Sequence, residues 1–336
     1  MDADIAGRIT DVALRCTGVD VIDKAKIGDG NWENELLFFI KPEVFLLKGK
    51  QQIKNTVSLL LGTLNKFNAR VDGIYAVNGT ALGKHGIMSN HYGFINVMSN
   101  SASKAADEQS RAEIGRVFNL IPSQFEILGG HEYLNRYRDI NIDELDRMWF
   151  AEKSVKIRSG FYVRLIKKDG NNIVLVNGFH PKQLSYFTDP EHTIVLMLLH
   201  SNTRWSELKN GMVGATFPDK AAPESMRGVL YARAREFGFE EVTIANNCVH
   251  LSAGPFEAMS EIVNFFGKLA GVDIRESHPN ALKKMLKQGI SYEDGVSALD
   301  NPRFEYNGKQ TDLFSSTEEM DTDRAISVFR ERVLNA

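Results

Sequence analysis

The sequence predicts an α+β fold on three observations. Short apolar runs bounded by turn residues mark buried strands at 35–40 and 192–200, and apolar positions recurring at three and four residues mark helices at 53–67 and 255–266. Two β-rich runs, 161–166 and 173–176, flank an Asp169-Gly170 step, and such a junction supplies the positive dihedrals of a tight hairpin turn.

The elements follow in order. Residues 5–14 fit an amphipathic helix, and Gly28, Gly30 and Asn31 mark a loop that opens the main domain. The run 35–40 ends at Lys41-Pro42 and so delivers Lys41 to the carboxyl end of a strand. Val57, Leu60, Leu61, Leu64 and Phe67 line one helix face, and 70–77 reads as a second strand broken by Asn78-Gly79. A polar helical segment is expected over 104–118, then an aromatic and charged segment over 133–150 and the hairpin. Residues 240–244 and 248–251 are short strand candidates, and Ser252 is placed to cap the helix that follows. Further helices are expected over 278–287 and 321–334, with no internal repeat and no low-complexity tract.

With 336 residues, 43% of them hydrophobic and 25% charged, the composition is that of a water-soluble globular chain. No segment reaches the run of about 18 apolar residues that spans a bilayer. Residues 1–17 lack the basic start and apolar core of a secretory signal, so a cytoplasmic location is expected. Cys16 and Cys248 show no metal-ligand spacing and are expected to be buried and reduced. A net charge of -3 argues against nonspecific binding to a nucleic-acid backbone, so any anion must be held locally.

Two stretches carry chemistry. Residues 211–228 are poor in apolar side chains and read as a long functional surface loop. Thr216 brings a hydroxyl and Arg227 a planar fork of donors, the groups that bind phosphate oxygens. His250 closes a short apolar step ahead of a helix containing Glu261. A histidine accepts a phosphoryl group only through an unprotonated ring nitrogen, which requires a partner on the other, and Glu261 is the candidate.

These stretches resemble the signature of the nucleoside diphosphate kinase family in its proper order. The matches are Phe39-Ile40-Lys41-Pro42, His91-Tyr92, Met212 to Thr216 with Pro223 and Arg227-Gly228, Asn247 with His250, and Glu261-Ile262 with Phe266. The resemblance implies a ferredoxin-like core, an antiparallel sheet with helices on one face, and ping-pong transfer of a γ-phosphate between nucleotides through phospho-His250. It implies that Glu261 orients His250, Lys41 binds the transferred phosphate, Tyr92 lines the site, Thr216 and Arg227 hold the distal phosphates, and Asn247 contacts the ribose. Mg2+ would be carried by the phosphates rather than by a protein cage. The implied partners are nucleoside di- and triphosphates (ATP, GTP, ADP, GDP) and a second copy of the chain in a homo-oligomer, with no nucleic acid and no membrane. The alternative is a nucleotide-binding regulatory protein of weak or no activity.

The expected organisation is an N-terminal helical extension over 1–30, a kinase-like core over 31–100 and 188–268, an inserted α/β segment with the hairpin over 101–187, and a C-terminal extension over 269–336. The chain departs from the family pattern after its histidine, at Leu251 and Ala253, and before Gly214, where Asn210 stands in place of a basic residue. Leu251 is expected to add bulk beside the nucleophile. Phe94 is the candidate for stacking on the base.

Overall fold

The structure, a computed structural model, describes residues 4–273, 275–306 and 308–335. Residues 1–3 of the segment read as lacking a signal therefore lie outside the described residues. The chain is a mixed α+β protein that divides into two compact units, Gly86–Asp189 and the residues on either side of it.

The first unit is built on a five-stranded antiparallel sheet. Its labelled elements are α1 (Ile5–Arg15), β1 (Val19–Asp23), β2 (Asn34–Ile40), α2 (Lys50–Lys66), β3 (Arg70–Asn78), β4 (Thr193–Ser201), α3 (Met226–Ala232), β5 (Val249–Leu251), α4 (Pro255–Ala270), α5 (Asn280–Lys287) and α6 (Thr322–Phe329). Across the sheet the strands run β1-β3-β4-β2-β5. All seven residues of β2 and all nine of β4 are buried, which is why residues 36–40 and 194–199 appear in the sequence as unbroken apolar runs.

Burial on two sides corrects one expectation, because helices cover both faces of the sheet. On one face Leu36, Phe38 and Ile40 of β2 join Val195, Met197 and Leu199 of β4, packed with Ile9 and Val12 of α1 and Val57, Leu60 and Leu64 of α2. On the other, Phe39 stacks on Phe265 of α4 at 5.9 Å and Tyr75 meets the edge of Phe266 at 5.2 Å. The alternation of strand side chains sends Phe38 and Phe39 to opposite faces, and each needs its own helix layer. Truncating one of the leucines, isoleucines or phenylalanines among these to alanine should cost about 2–5 kcal/mol.

Helices α5 and α6 are anchored by their N-termini to the first two residues of β2. Glu35 accepts from the Asn280 amide at 2.7 Å, and Asn34 Oδ1 accepts from the amide and the hydroxyl of Thr322 at 3.1 and 3.0 Å. These are amides that a helix leaves unpaired at its start. Behind them Leu282, Met285, Leu313, Ile326 and Phe329 pack on Phe256 and Met259 of α4 as a second core.

The second unit holds a four-stranded sheet in the order Glu126–Gly129, Asn171–Val176, Phe161–Lys168, Val155–Arg158, its first pair parallel and the others antiparallel. The hairpin turns at Asp169 and Gly170, both with positive φ, as a two-residue primed turn requires.

Four local expectations are corrected. The segment 104–118 is two helices, because the Asp107 carboxylate accepts from the Ser110 amide and starts a new one at Glu108. Residues 240–244 form no strand: Thr243 N–H donates to Asn246 O in a local turn, and of these five only Val242 is buried. The surface loop expected over 211–228 is shorter, since Leu208–Val213 is helical and α3 begins at Met226 and takes Arg227 inside. Ser252 does not cap α4, whose N-cap is Gly254. Both cysteines are buried and free, and no helix among the described residues is long and apolar enough to cross a membrane.

Candidate active site

The short edge strand β5 pairs with β2 in a register that sets His250 opposite Phe39, whose ring stacks on the imidazole at 4.6 Å and 18°. Strand alternation sends the neighbouring Leu251 into the core on the far side, so its bulk does not stand beside the histidine as expected. Before β5 the chain makes a tight turn at Cys248, a non-glycine residue at φ 68°. Its amide donates to Glu43 at 2.8 Å and its carbonyl accepts from Lys41 N–H at 2.8 Å, so a costly conformation is held from both sides. Burial pushes the Cys248 thiol well above its ordinary range, which removes it as a nucleophile at neutral pH.

The imidazole is held by a relay. His250 Nε2 lies 2.9 Å from Glu261 Oε1; the other carboxylate oxygen accepts from Ser252 Oγ at 2.5 Å, and Ser252 Oγ accepts from Leu37 N–H at 3.0 Å. His250 is 19% exposed and Glu261 5%, so the ring edge reaches solvent while its anchor does not. A carboxylate only accepts, so a neutral His250 keeps its proton on Nε2 and its lone pair on Nδ1.

A second group gathers cations and amides. Lys41 Nζ donates to Asn247 Oδ1 at 2.6 Å, and the buried Asn247 amide donates to the carbonyls of Ile244 and Thr216 at 3.1 and 3.4 Å. Arg227 ties the loop to the histidine strand, with Nη1 donating to Gly214 O and Nη2 to Val249 O, each at 2.9 Å. Its Nε has no hydrogen-bond partner among the described residues. Burial lowers the Arg227 pKa to about 10, which leaves it charged at neutral pH. Burial also lowers Lys41, with Glu43 opposing the shift and Arg227 adding to it.

The loop between these groups has its own local logic. Gly214 sits at φ 91°, and a Cβ there would meet Ser225 Oγ at 2.3 Å, so the turn into Thr216 requires glycine. Ser225 Oγ in turn accepts from Gly228 N–H and caps α3, fixing where Arg227 begins its helix. Thr216 itself is exposed.

Of the expected site residues, His250 and Glu261 are in direct contact, Lys41 and Asn247 are in direct contact, and Thr216 and Arg227 are joined to that pair or to β5 through backbone carbonyls. Tyr92 and Phe94 belong to the second unit, where Tyr92 packs on His180 at 5.7 Å and the Arg158 guanidinium lies 5.7 Å from the Phe94 ring. Two contributors were not read from the sequence as site residues: Glu43, which holds Cys248, and Phe39, which stacks on His250. Phe39 had a signal, since it lies two residues before Lys41, near the end of the strand that leads to it. Glu43 had none beyond its place after Lys41-Pro42.

No protein-family model matches the chain, and no curated protein matches it. Among solved structures it is similar to a nucleoside diphosphate kinase from Encephalitozoon cuniculi, with 11% identity and a TM-score of 0.34 over 77% of this chain and 99% of that one. It is similar also to an NDP kinase from Pyrobaculum aerophilum, with 18% identity and a TM-score of 0.34 over 69% of this chain and 95% of that one.

Proposed function

We propose that the protein is a nucleoside diphosphate kinase, with β2, α2, β3, β4, the α3 region and β5 as its ferredoxin-like core and His250 as the phosphate carrier. The observation that carries this reading is the Ser252–Glu261–His250 relay, which fixes the Nε2 proton and so puts the lone pair of the neutral ring on Nδ1. Nδ1 attacks the γ-phosphorus of a nucleoside triphosphate, the bond from that phosphorus to the bridging oxygen breaks, and the diphosphate leaves. A terminal oxygen of a second diphosphate then attacks the same phosphorus, and its bond to Nδ1 breaks.

Lys41 and Arg227 stabilise the charge on the transferring group, and Thr216 adds a hydroxyl. Glu261 accepts from Ser252 and Glu43 from the Cys248 amide. In this reading Mg2+ arrives on the nucleotide phosphates and neutralises them there. The same reading places the protein in the cytoplasm as a homo-oligomer.

A second reading, a nucleotide sensor with slow turnover, is favoured by one observation: Asn247 and the terminal nitrogens of Arg227 already bond within the protein. The two are separated by incubating the protein with Mg2+ and γ-labelled ATP and chasing with GDP. Acid-labile label on wild type, absent from His250→Ala and removed by GDP, supports the kinase. ATP binding without label leaves the sensor, and the absence of both binding and label ends both readings.

A further inference from the structure

Residues 41–43 and 247–249 are locked to each other at Cys248. A short helical turn, Pro42–Phe45, follows β2 directly and carries Glu43 in its first positions. Cys248 stands at φ 68°, and this stretch takes both of its backbone groups: Lys41 N–H donates to its carbonyl and its amide donates to Glu43 Oε1, each at 2.8 Å. From Cys248 the chain diverges. On one side Asn247 accepts from Lys41 Nζ at 2.6 Å; on the other Val249 accepts from Arg227 Nη2 at 2.9 Å and leads into His250.

Of the charged groups gathered at this turn, Lys41 and Arg227 are cations and Glu43 is the carboxylate. Glu43 and Arg227 are both buried, and a charge withdrawn from water is stable only beside its opposite. Asn247 gives Lys41 a hydrogen bond but no charge. The Cys248 thiol, which burial keeps protonated, brings no charge at neutral pH either. Burial lowers the Lys41 pKa and Arg227 adds to the shift, while Glu43 is the first group to oppose it. Glu43 acts in the same direction on Arg227.

We propose that Glu43 is a positioning residue with two separable parts: its oxygen fixes the turn from which Asn247 and His250 diverge, and its negative charge is the counterion that holds Lys41 as an ammonium. The use of that ammonium on a transferring phosphate rests on the proposed function above. Its dependence on Glu43 does not, and the test separates the two.

The test follows Lys41 and Cys248 directly in the full chain. The Cε resonance of isotope-labelled Lys41, identified by its loss in Lys41→Met, is titrated by NMR in wild type and in Glu43→Gln, which keeps an oxygen for the Cys248 amide and loses the charge. The midpoint should fall by about one pH unit or more, the scale on which an adjacent opposite charge sustains an ionised group. Deuterium exchange at the Cys248 amide should stay near wild type in Glu43→Gln and rise about tenfold or more in Glu43→Ala, which loses the acceptor as well. A Lys41 midpoint that stays or rises in Glu43→Gln, or Cys248 exchange unchanged in Glu43→Ala, overturns the proposal. The alkaline limb of acid-labile labelling by γ-labelled ATP should move with the Lys41 midpoint, and a limb that stays fixed while the midpoint falls overturns the positioning role. Absence of label at every pH ends the phosphate-carrier reading, while the midpoint and the exchange rates still decide Glu43. Should Glu43→Gln not fold, Glu43→Asp keeps the charge on a shorter stem. It should leave the Lys41 midpoint near wild type and speed Cys248 exchange, and a midpoint lower by about one unit in it, or unchanged exchange, overturns the proposal.

Discussion

Two histidines of the same sheet are each bound to carboxylates, in different surroundings. His200 on β4 lies between Asp72 at 2.8 Å and Glu35 at 2.9 Å, with no solvent exposure, under the ring of Trp32 at 6.1 Å. His250 on β5 has Glu261 on Nε2 and is 19% exposed. Two carboxylates engage both nitrogens of a buried imidazole and favour its cation, whereas a carboxylate on Nε2 places the lone pair of a neutral ring on Nδ1. The number of carboxylates, more than burial alone, distinguishes the two settings.

That contrast can be broken most sharply by exchanging its terms. His250→Ala should abolish acid-labile phosphorylation while changing the melting temperature little, as read by label retention and calorimetry. Equal damage from both histidine substitutions to folding would erase the distinction. His200→Ala should instead leave Glu35 and Asp72 buried without their cation and cost about 3–5 kcal/mol of stability, measured by denaturant unfolding. Glu261→Gln should keep the hydrogen bond to His250 but lose its charge, slowing phosphorylation about 10²-fold with a nearly unchanged fold; an unaltered rate would remove Glu261 from the relay.

The smallest effect is in pH dependence. Burial alone would lower the pKa of His200, but hydrogen bonds and charge from Glu35 and then Asp72 outweigh it and leave it raised. A raised folded-state pKa contributes stability that is fully present below the unfolded value, about 6.5, and is lost as pH rises through the folded value. Wild type should therefore lose stability relative to His200→Gln as pH climbs from about 6.5. A constant difference between the two across that range would mean that His200 is neutral in the fold.

What the sequence made legible follows the distance over which each feature is determined. Strands β2 and β4, the α2 face and the Asp169-Gly170 turn are local patterns, and each was visible. The break at Asp107 was hidden because one side-chain cap outweighed a continuous helical pattern. His250 and Glu261 are eleven residues apart on a strand and the helix after it, close enough for spacing to suggest the pair. His200 is 165 residues from Glu35 and 128 from Asp72, and they meet only because β4 pairs with β2 and β3 in one register. Glu43 and Cys248 likewise meet across 205 residues, so no local pattern pointed to the clamp before His250.

The anchoring of α5 and α6 on Asn34 and Glu35 has a consequence for how the chain matures. Synthesis runs from the N-terminus, so β2 is among the first strands made, yet its opening residues receive their last hydrogen bonds only from Asn280 and Thr322. Until those residues emerge, Glu35 has His200 and the Gly28 amide as its partners but lacks the helix start that completes it. The strand that carries Lys41 at its far end is thus begun early and finished late.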